Sequence, residues 1–355
     1  MRNLFVCHSQ AQLMLAIGLI KGRFKADSND LILFIDFAIT PDTRKKLTDS
    51  FETVLFRPGI FPPSNKSWRR KLLSMPTDLV RIGQFIRRKY DRVFEVCDGN
   101  IPEIYIVKRC FSLNKHTEFI WLEDGSYPYF QNVIDVDGFN SNDRMRFLRK
   151  VIFKYVFMLG KFYDFQGAHM GANRWLKTAY LTLKGKERDI YASKDIVEIS
   201  ASEYRLGIET LFGSGNIRLR ENSILLVMDK SNVYKSLASV RELVMKIFEV
   251  SERSGRMLYY KLHPRETTDF INIPNSAYML DSSIGIESYY SAAGINSNVV
   301  VIGVKSTALQ SAKLLGFKTI STSLIIDEGD SDVLQFYKEI GVLTPASIDE
   351  LSTMI

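Results

Sequence analysis

Residues 223–264, SILLVMDKSNVYKSLASVRELVMKIFEVSERSGRMLYYKLHP, decide the architecture. SILLVMD is a short apolar block ending on an acid, the spacing predicts a helix over 233–255, and RMLYYKLHP is a second apolar block closed by a proline. Proline forces the preceding residue into extended backbone, so His263 ends a strand rather than entering a helix. Buried strands alternating with helices belong to a mostly parallel sheet covered on both faces.

The alternation continues in both directions. Downstream come a short helix near GIESYYSAAG (285–294), strand NVVVIG (298–303), helix STALQSAKLLG (306–316) and strand TISTSLI (319–325). Upstream, strands are expected at NLFVC (3–7), DLILFID (30–36), the end of KYDRVFEVCDG (89–99) and EFIWLEDGSY (118–127), with helix AQLMLAIGLIKG (11–22) stopped by Gly22. Between about 141 and 190 the pattern changes to long amphipathic helix with little strand, followed by a polar stretch to about 220. The expectation is α/β: two Rossmann-like domains, 1–190 and 191–355, with a central cleft between them. Ligands of open α/β sheets sit outside the C-terminal ends of the strands.

A chain of 355 residues suits two domains, and its 25% charged and 46% hydrophobic residues are those of a soluble globular protein. No apolar run reaches the roughly 20 residues that cross a bilayer. The N-terminal apolar stretch is broken by His8, Ser9, Gln10 and Gln12, which reads as mature structure rather than a signal peptide. Cys7, Cys97 and Cys110 are widely spaced, as buried thiols of a cytoplasmic protein would be, and no CxxC or HExxH pattern marks a metal site. The net charge of +7 is concentrated in residues 143–188, where eleven Lys and Arg face three Asp and Glu, interleaved with aromatics. Such a segment is a solvated face, or it meets an anionic acceptor, an anionic membrane or nucleic acid. The confinement of charge to one segment, with no RRM, KH or finger signature, argues against nucleic acid.

Four stretches at strand ends carry chemistry. Lys261 and His263 are two residues apart and share a face of their strand, two groups for one anion. Ser306 and Thr307 open a helix, whose free N–H groups suit phosphate or simply take a side-chain cap. Glu123 and Asp124 stand before Gly125 on a turn, where a carboxylate can act as general base on a hydroxyl. Glu287, at the start of a short helix, either complements the helix dipole or accepts from sugar hydroxyls or a nucleobase amine.

Taken together and in this order, Glu123-Asp124-Gly125, Lys261-x-His263-Pro264 and Ser306-Thr307 resemble the motifs of the bacterial sialyltransferases of GT-B fold, the lipooligosaccharide sialyltransferases and capsule polysialyltransferases. Glu287 falls where that family places its nucleoside-binding glutamate. NLFVCHSQAQL is similar to the family's opening strand and loop through Cys7, Ser9 and Gln12, with Gln10 in place of a proline. The resemblance implies metal-independent, inverting transfer of sialic acid from CMP-sialic acid to a glycan hydroxyl, with no cofactor. It implies that Glu123 takes the acceptor proton while Asp124 orients it, the choice of base between the two being open. His263 would protonate or hydrogen-bond the leaving phosphate, and Lys261, Ser306 and Thr307 would hold it. Glu287 would hold the ribose or cytosine, and Gly125, Pro264, Ser9 and Gln12 complete the donor site. The acceptor would be a lipopolysaccharide, O-antigen or capsule glycan, anionic or lipid-linked, the latter placing the protein on the cytoplasmic face of the inner membrane. Transfer of another CMP-activated acid sugar, such as Kdo, is the alternative.

Overall fold

The computed structural model describes residues 1–37, 39–59, 68–95, 100–129, 151, 154–155, 159–162, 170–213, 219–263, 266, 269–271, 273, 276–282, 284–293 and 298–355. The chain forms two compact units, Met1–Leu211 and Phe212–Ile355.

In the first unit, seven strands build one sheet: β1 (Arg2–Cys7), β2 (Ser28–Ile35), β3 (Thr53–Pro58), β4 (Arg92–Glu95), β5 (Glu118–Leu122), β6 (Thr178–Leu181) and β7 (Asp195–Glu198). They lie in the order β3-β2-β1-β4-β5-β6-β7. Every pair is parallel. The central strands are apolar and buried on both faces, which a parallel sheet covered by helices requires. Helices α1 (Gln10–Lys21), α2 (Pro41–Ser50), α3 (Trp68–Phe85), α4 (Ile101–Leu113) and α5 (Ala201–Phe212) accompany it. Strand order reverses between β1 and β4, so the crevice that binds ligands in such sheets opens at the C-terminal ends of these two strands.

The second unit repeats the plan with five parallel strands: β8 (Ser223–Val227), β9 (Met257–Lys261), β10 (Tyr278–Met279), β11 (Val300–Gly303) and β12 (Lys318–Ser321). Their order is β10-β9-β8-β11-β12, and the reversal falls between β8 and β11. Its helices are α6 (Leu237–Arg253), α7 (Ile286–Ala293), α8 (Thr307–Leu314), α9 (Ser331–Ile340) and α10 (Ile348–Met354). The apolar face of α6, Val240, Leu243, Val244 and Ile247, packs with Ile224, Leu226, Leu258 and Tyr260 of the sheet.

Two features differ from the sequence reading. Residues 191–211, placed with the second domain at the sequence level, pack with the first: β7 pairs with β6, and α5 closes on α1 at two glycines. A Cβ on Gly18 would strike the Glu203 carbonyl, and one on Gly207 the Met14 carbonyl, so the two backbones approach closer than any side chain allows. Within 141–190, expected as long amphipathic helix with little strand, Thr178–Leu181 form β6, a fully buried four-residue strand. Residues 130–150, with most of the following basic aromatic stretch, lie outside the described residues, as do Cys97 and Pro264. Cys7 and Cys110 are buried free thiols. Among the described residues, no helix is long and apolar enough to cross a membrane.

Candidate active site

In the first unit the chain leaves β1 at Cys7 and enters α1 through a capping box. The Ser9 hydroxyl accepts from Gln12 N at 3.3 Å, while Gln12 Oε1 accepts from Ser9 N at 3.0 Å and from His8 N at 2.5 Å. The other end of the Gln12 amide, Nε2, donates to Asp124 Oδ1 at 2.8 Å. Asp124 stands just beyond β5, ahead of Gly125, whose φ of +57° lets the chain turn away at once.

The adjacent acids are in opposite situations. Glu123 is buried, 3% exposed, and both its oxygens are taken. Oε2 accepts from Tyr129 Oη and Thr182 N, each at 2.5 Å, and Oε1 from the Thr182 hydroxyl at 2.8 Å. Burial pushes its carboxyl up to about 7 against those donors. Asp124 is half-buried, with Oδ1 held by Gln12. Burial raises its pKa too, while the Gln12 hydrogen bond and the His8 charge pull it down.

That charge belongs to a cluster absent from the sequence reading. His8 Nε2 meets Glu103 Oε1 at 2.5 Å and Nδ1 meets Asp36 Oδ2 at 3.3 Å. Its ring stacks on Phe34, centroids 4.6 Å apart. Burial opposes protonation of His8, but the two carboxylates outweigh it and lift the imidazole to about 9, so it is a cation at neutral pH. Asn100, the N-cap of α4, donates to the same Glu103 oxygen at 2.7 Å. His8 and Asp36 follow the C-terminal ends of β1 and β2, the positions where ligands of open α/β sheets are sought, and that location was the available signal.

In the second unit Lys261 ends β9 with its side chain buried, 4% exposed, and Nζ donates to the Ser282 carbonyl at 3.1 Å. Burial lowers its pKa to about 8, opposed by the charges of Glu287 and Asp281. Glu287, in the first turn of α7, has its carboxyl raised by burial and accepts from Ser311 of α8 at 3.4 Å. The structure thus brings Lys261 and Glu287 into one electrostatic neighbourhood. His263, two residues past β9, is half-buried. Ser306 is the N-cap of α8, its hydroxyl accepting from Ala308 N at 3.3 Å, and Thr307 is exposed beside it. At the same helix start Asp229, which follows β8, accepts from Lys305 N at 3.0 Å, and burial pushes its carboxyl up to about 6. Lys305 Nζ in turn reaches Glu328 Oε2 at 3.2 Å. The sequence reading passed over Asp229 although it closes the SILLVMD strand at the reversal between β8 and β11.

Each unit therefore gathers part of the expected set. Ser9, Gln12, Glu123, Asp124 and Gly125 meet at the ends of β1 and β5. Ser9 and Gln12, expected at the donor, form the capping box of α1, and Gln12 reaches Asp124. Lys261 and Glu287 lie together, and Ser306 and Thr307 lie with Asp229. Among the described residues, no group of three or more His, Cys, Asp or Glu could hold a metal ion.

In fold the chain is similar to solved nucleotide-sugar enzymes. UDP-GlcNAc 2-epimerase from Methanocaldococcus jannaschii matches with a TM-score of 0.60 at 10% identity, over 100% of this chain and 91% of that one. The calicheamicin glycosyltransferase CalG4 matches at 0.51 and 11% identity, covering 99% and 88%. A sialyltransferase from Photobacterium damsela matches at 0.50 and 12% identity, covering 97% and 81%. At these identities the likeness shows the fold, two Rossmann-like units of GT-B type, and epimerases share it with transferases. No curated protein matches the chain in sequence. The family model "Alpha-2,8-polysialyltransferase (POLYST)" matches residues 3–324, nearly the whole chain and every motif above. The chain belongs to the alpha-2,8-polysialyltransferase family and is a sialyltransferase.

Proposed function

We propose that the enzyme moves sialic acid from CMP-sialic acid to a hydroxyl of a terminal sialic acid on a bacterial surface glycan, with inversion and without a metal ion. The observation that carries this reading is Asp124: a half-buried carboxylate at the end of β5, one oxygen held by Gln12, beside a Glu123 whose oxygens are both occupied. Asp124 rather than Glu123 is then the base.

In the reaction Asp124 accepts the acceptor O–H proton as that oxygen bonds to the anomeric carbon of the donor. The bond from that carbon to the phosphate oxygen breaks, and CMP leaves with the electron pair. Charge grows on the phosphate, where His263 donates a hydrogen bond or a proton. Lys261 and the start of α8 at Ser306 and Thr307 supply positive potential there, the work a metal ion performs in other transferases. Glu287 accepts from the ribose or the cytosine amine. The sialylated acceptor is itself anionic, which suits the basic segment 143–188. A lipid-linked form of it would bring the enzyme to the cytoplasmic face of the inner membrane.

Calorimetric titration with CMP, UMP and GMP in EDTA, repeated on His263→Ala, is the first test, followed by incubation with CMP-sialic acid and a sialylated oligosaccharide. Selective CMP binding, weakened in the variant, with chain extension through α2,8 bonds, supports the reading. Transfer from CMP-Kdo alone would replace the sugar and keep the nucleotide. Absence of CMP binding would overturn it.

A further inference from the structure

The Gln12 side chain is committed at both ends. Its oxygen accepts from the backbone N–H groups of His8 and Ser9, which fixes the orientation of the amide, because a flipped amide would set NH2 against two donors. Its nitrogen then faces Asp124 Oδ1 at 2.8 Å. A glutamate at this position would cap α1 equally well, since Glu and Gln share the third helical position of capping boxes. Toward Asp124 the two differ completely: Gln donates, whereas Glu repels. Asp124 Oδ2 has no hydrogen-bond partner among the described residues.

We propose that Gln12 is a positioning residue for the transfer reaction: it anchors Asp124 Oδ1 and so assigns Oδ2 to receive the acceptor's proton. This rests on the proposed role of Asp124 as base. The charged groups that bear on Asp124 are His8 after β1, Glu103 of α4 and the neighbouring Glu123, which follows β5. His8 favours the ionised form and the two glutamates oppose it, so the Gln12 donor works with His8 against Glu103, Glu123 and burial.

The test compares wild type, Gln12→Glu and Gln12→Ala by pH profiles of kcat/KM and by 13C NMR titration of the Asp124 carboxyl, with circular dichroism to check folding. Gln12→Glu is expected to fold and to move the acid limb upward by about one pH unit or more, a tenfold loss per unit below the new pKa, with donor KM unchanged. Gln12→Ala, which removes the donor without adding charge, is expected to move it less in the same direction. A raised donor KM with an unmoved profile would make Gln12 a donor ligand and overturn the proposal. So would an equal loss at every pH, the mark of a purely structural cap. If wild type transfers no sialic acid, the proposed function fails by itself. The NMR titration still decides the coupling, an Asp124 shift in Gln12→Glu supporting it and an unmoved Asp124 sinking it.

Discussion

The phenol of Tyr129 donates to Glu123 at 2.5 Å, and the backbone N–H of Thr182 meets the same carboxylate oxygen at the same distance. That pair of donors converts the first acid of the Glu123-Asp124-Gly125 turn into an internal tie between the end of β5 and the segment after β6. The second acid stays half-buried, with Gln12 on one oxygen.

Two isosteric substitutions should therefore separate the acids. Asp124→Asn is expected to keep the fold and lose transfer by about 10²–10⁴-fold, the usual worth of a general base. Glu123→Gln keeps an acceptor oxygen for Tyr129 Oη and Thr182 N but sets an NH2 donor where the Thr182 hydroxyl needs an acceptor. It is expected to cost about 1–3 kcal/mol of stability while keeping most of the transfer rate at temperatures where it is folded. Thermal unfolding and kcat measured side by side check both; a catalytically dead, fully stable Glu123→Gln would return the base role to Glu123.

His8 makes the stability of the first unit depend on pH. Its folded pKa is raised, to about 9 against the ordinary 6.5, so its ion pairs with Glu103 and Asp36 stabilise fully below about pH 6.5. That contribution, on the order of 2–3 kcal/mol, is lost as pH rises through 9. The stability difference between wild type and His8→Gln should shrink across this window in urea titrations. A pH-independent difference would mean that His8 is neutral in the folded protein.

Lys261 carries a buried ammonium, which burial disfavours. Lys261→Met keeps the length and removes the charge, and is expected to unfold within a few degrees of wild type. CMP affinity, read by calorimetry, should fall by about tenfold, roughly 1.4 kcal/mol. Unchanged CMP affinity would remove Lys261 from the donor site and leave it a structural contact to Ser282.

Gly207→Ala tests the seam that joins α5 to the first unit. The added methyl meets the Met14 carbonyl, with no flexible side chain to yield, so a loss of about 2–3 kcal/mol or more is expected in denaturant midpoints. The same substitution at Gly185, where a Cβ meets nothing within 4 Å but φ is +85°, should cost only about 1 kcal/mol from backbone strain.

Eight of the twelve strands among the described residues were legible as apolar runs because a strand buried on both faces has no alternative composition. The other four escaped for a common reason. In β3 every side chain but Arg57, and in β7 every side chain, is partly or wholly exposed, β10 is an exposed pair at the sheet edge, and β6 is four residues inside a basic segment that mimics helix. In each the sheet position comes from neighbouring backbone rather than from the strand's own pattern.

The chain's own order determined the two α/β alternations, the Asp-Gly turn after β5, the His-Pro end after β9 and the Ser-Thr start of α8, because each rests on contacts or backbone preferences within a few residues. Tertiary structure alone decided what those residues can do. Glu123 is closed by Tyr129 and Thr182, Asp124 is held by Gln12 from 112 positions away, and His8 is charged because Asp36 and Glu103 converge on it. Burial and hydrogen bonding set the protonation and reach of a carboxylate, and both are properties of what folds against it, which no local pattern records.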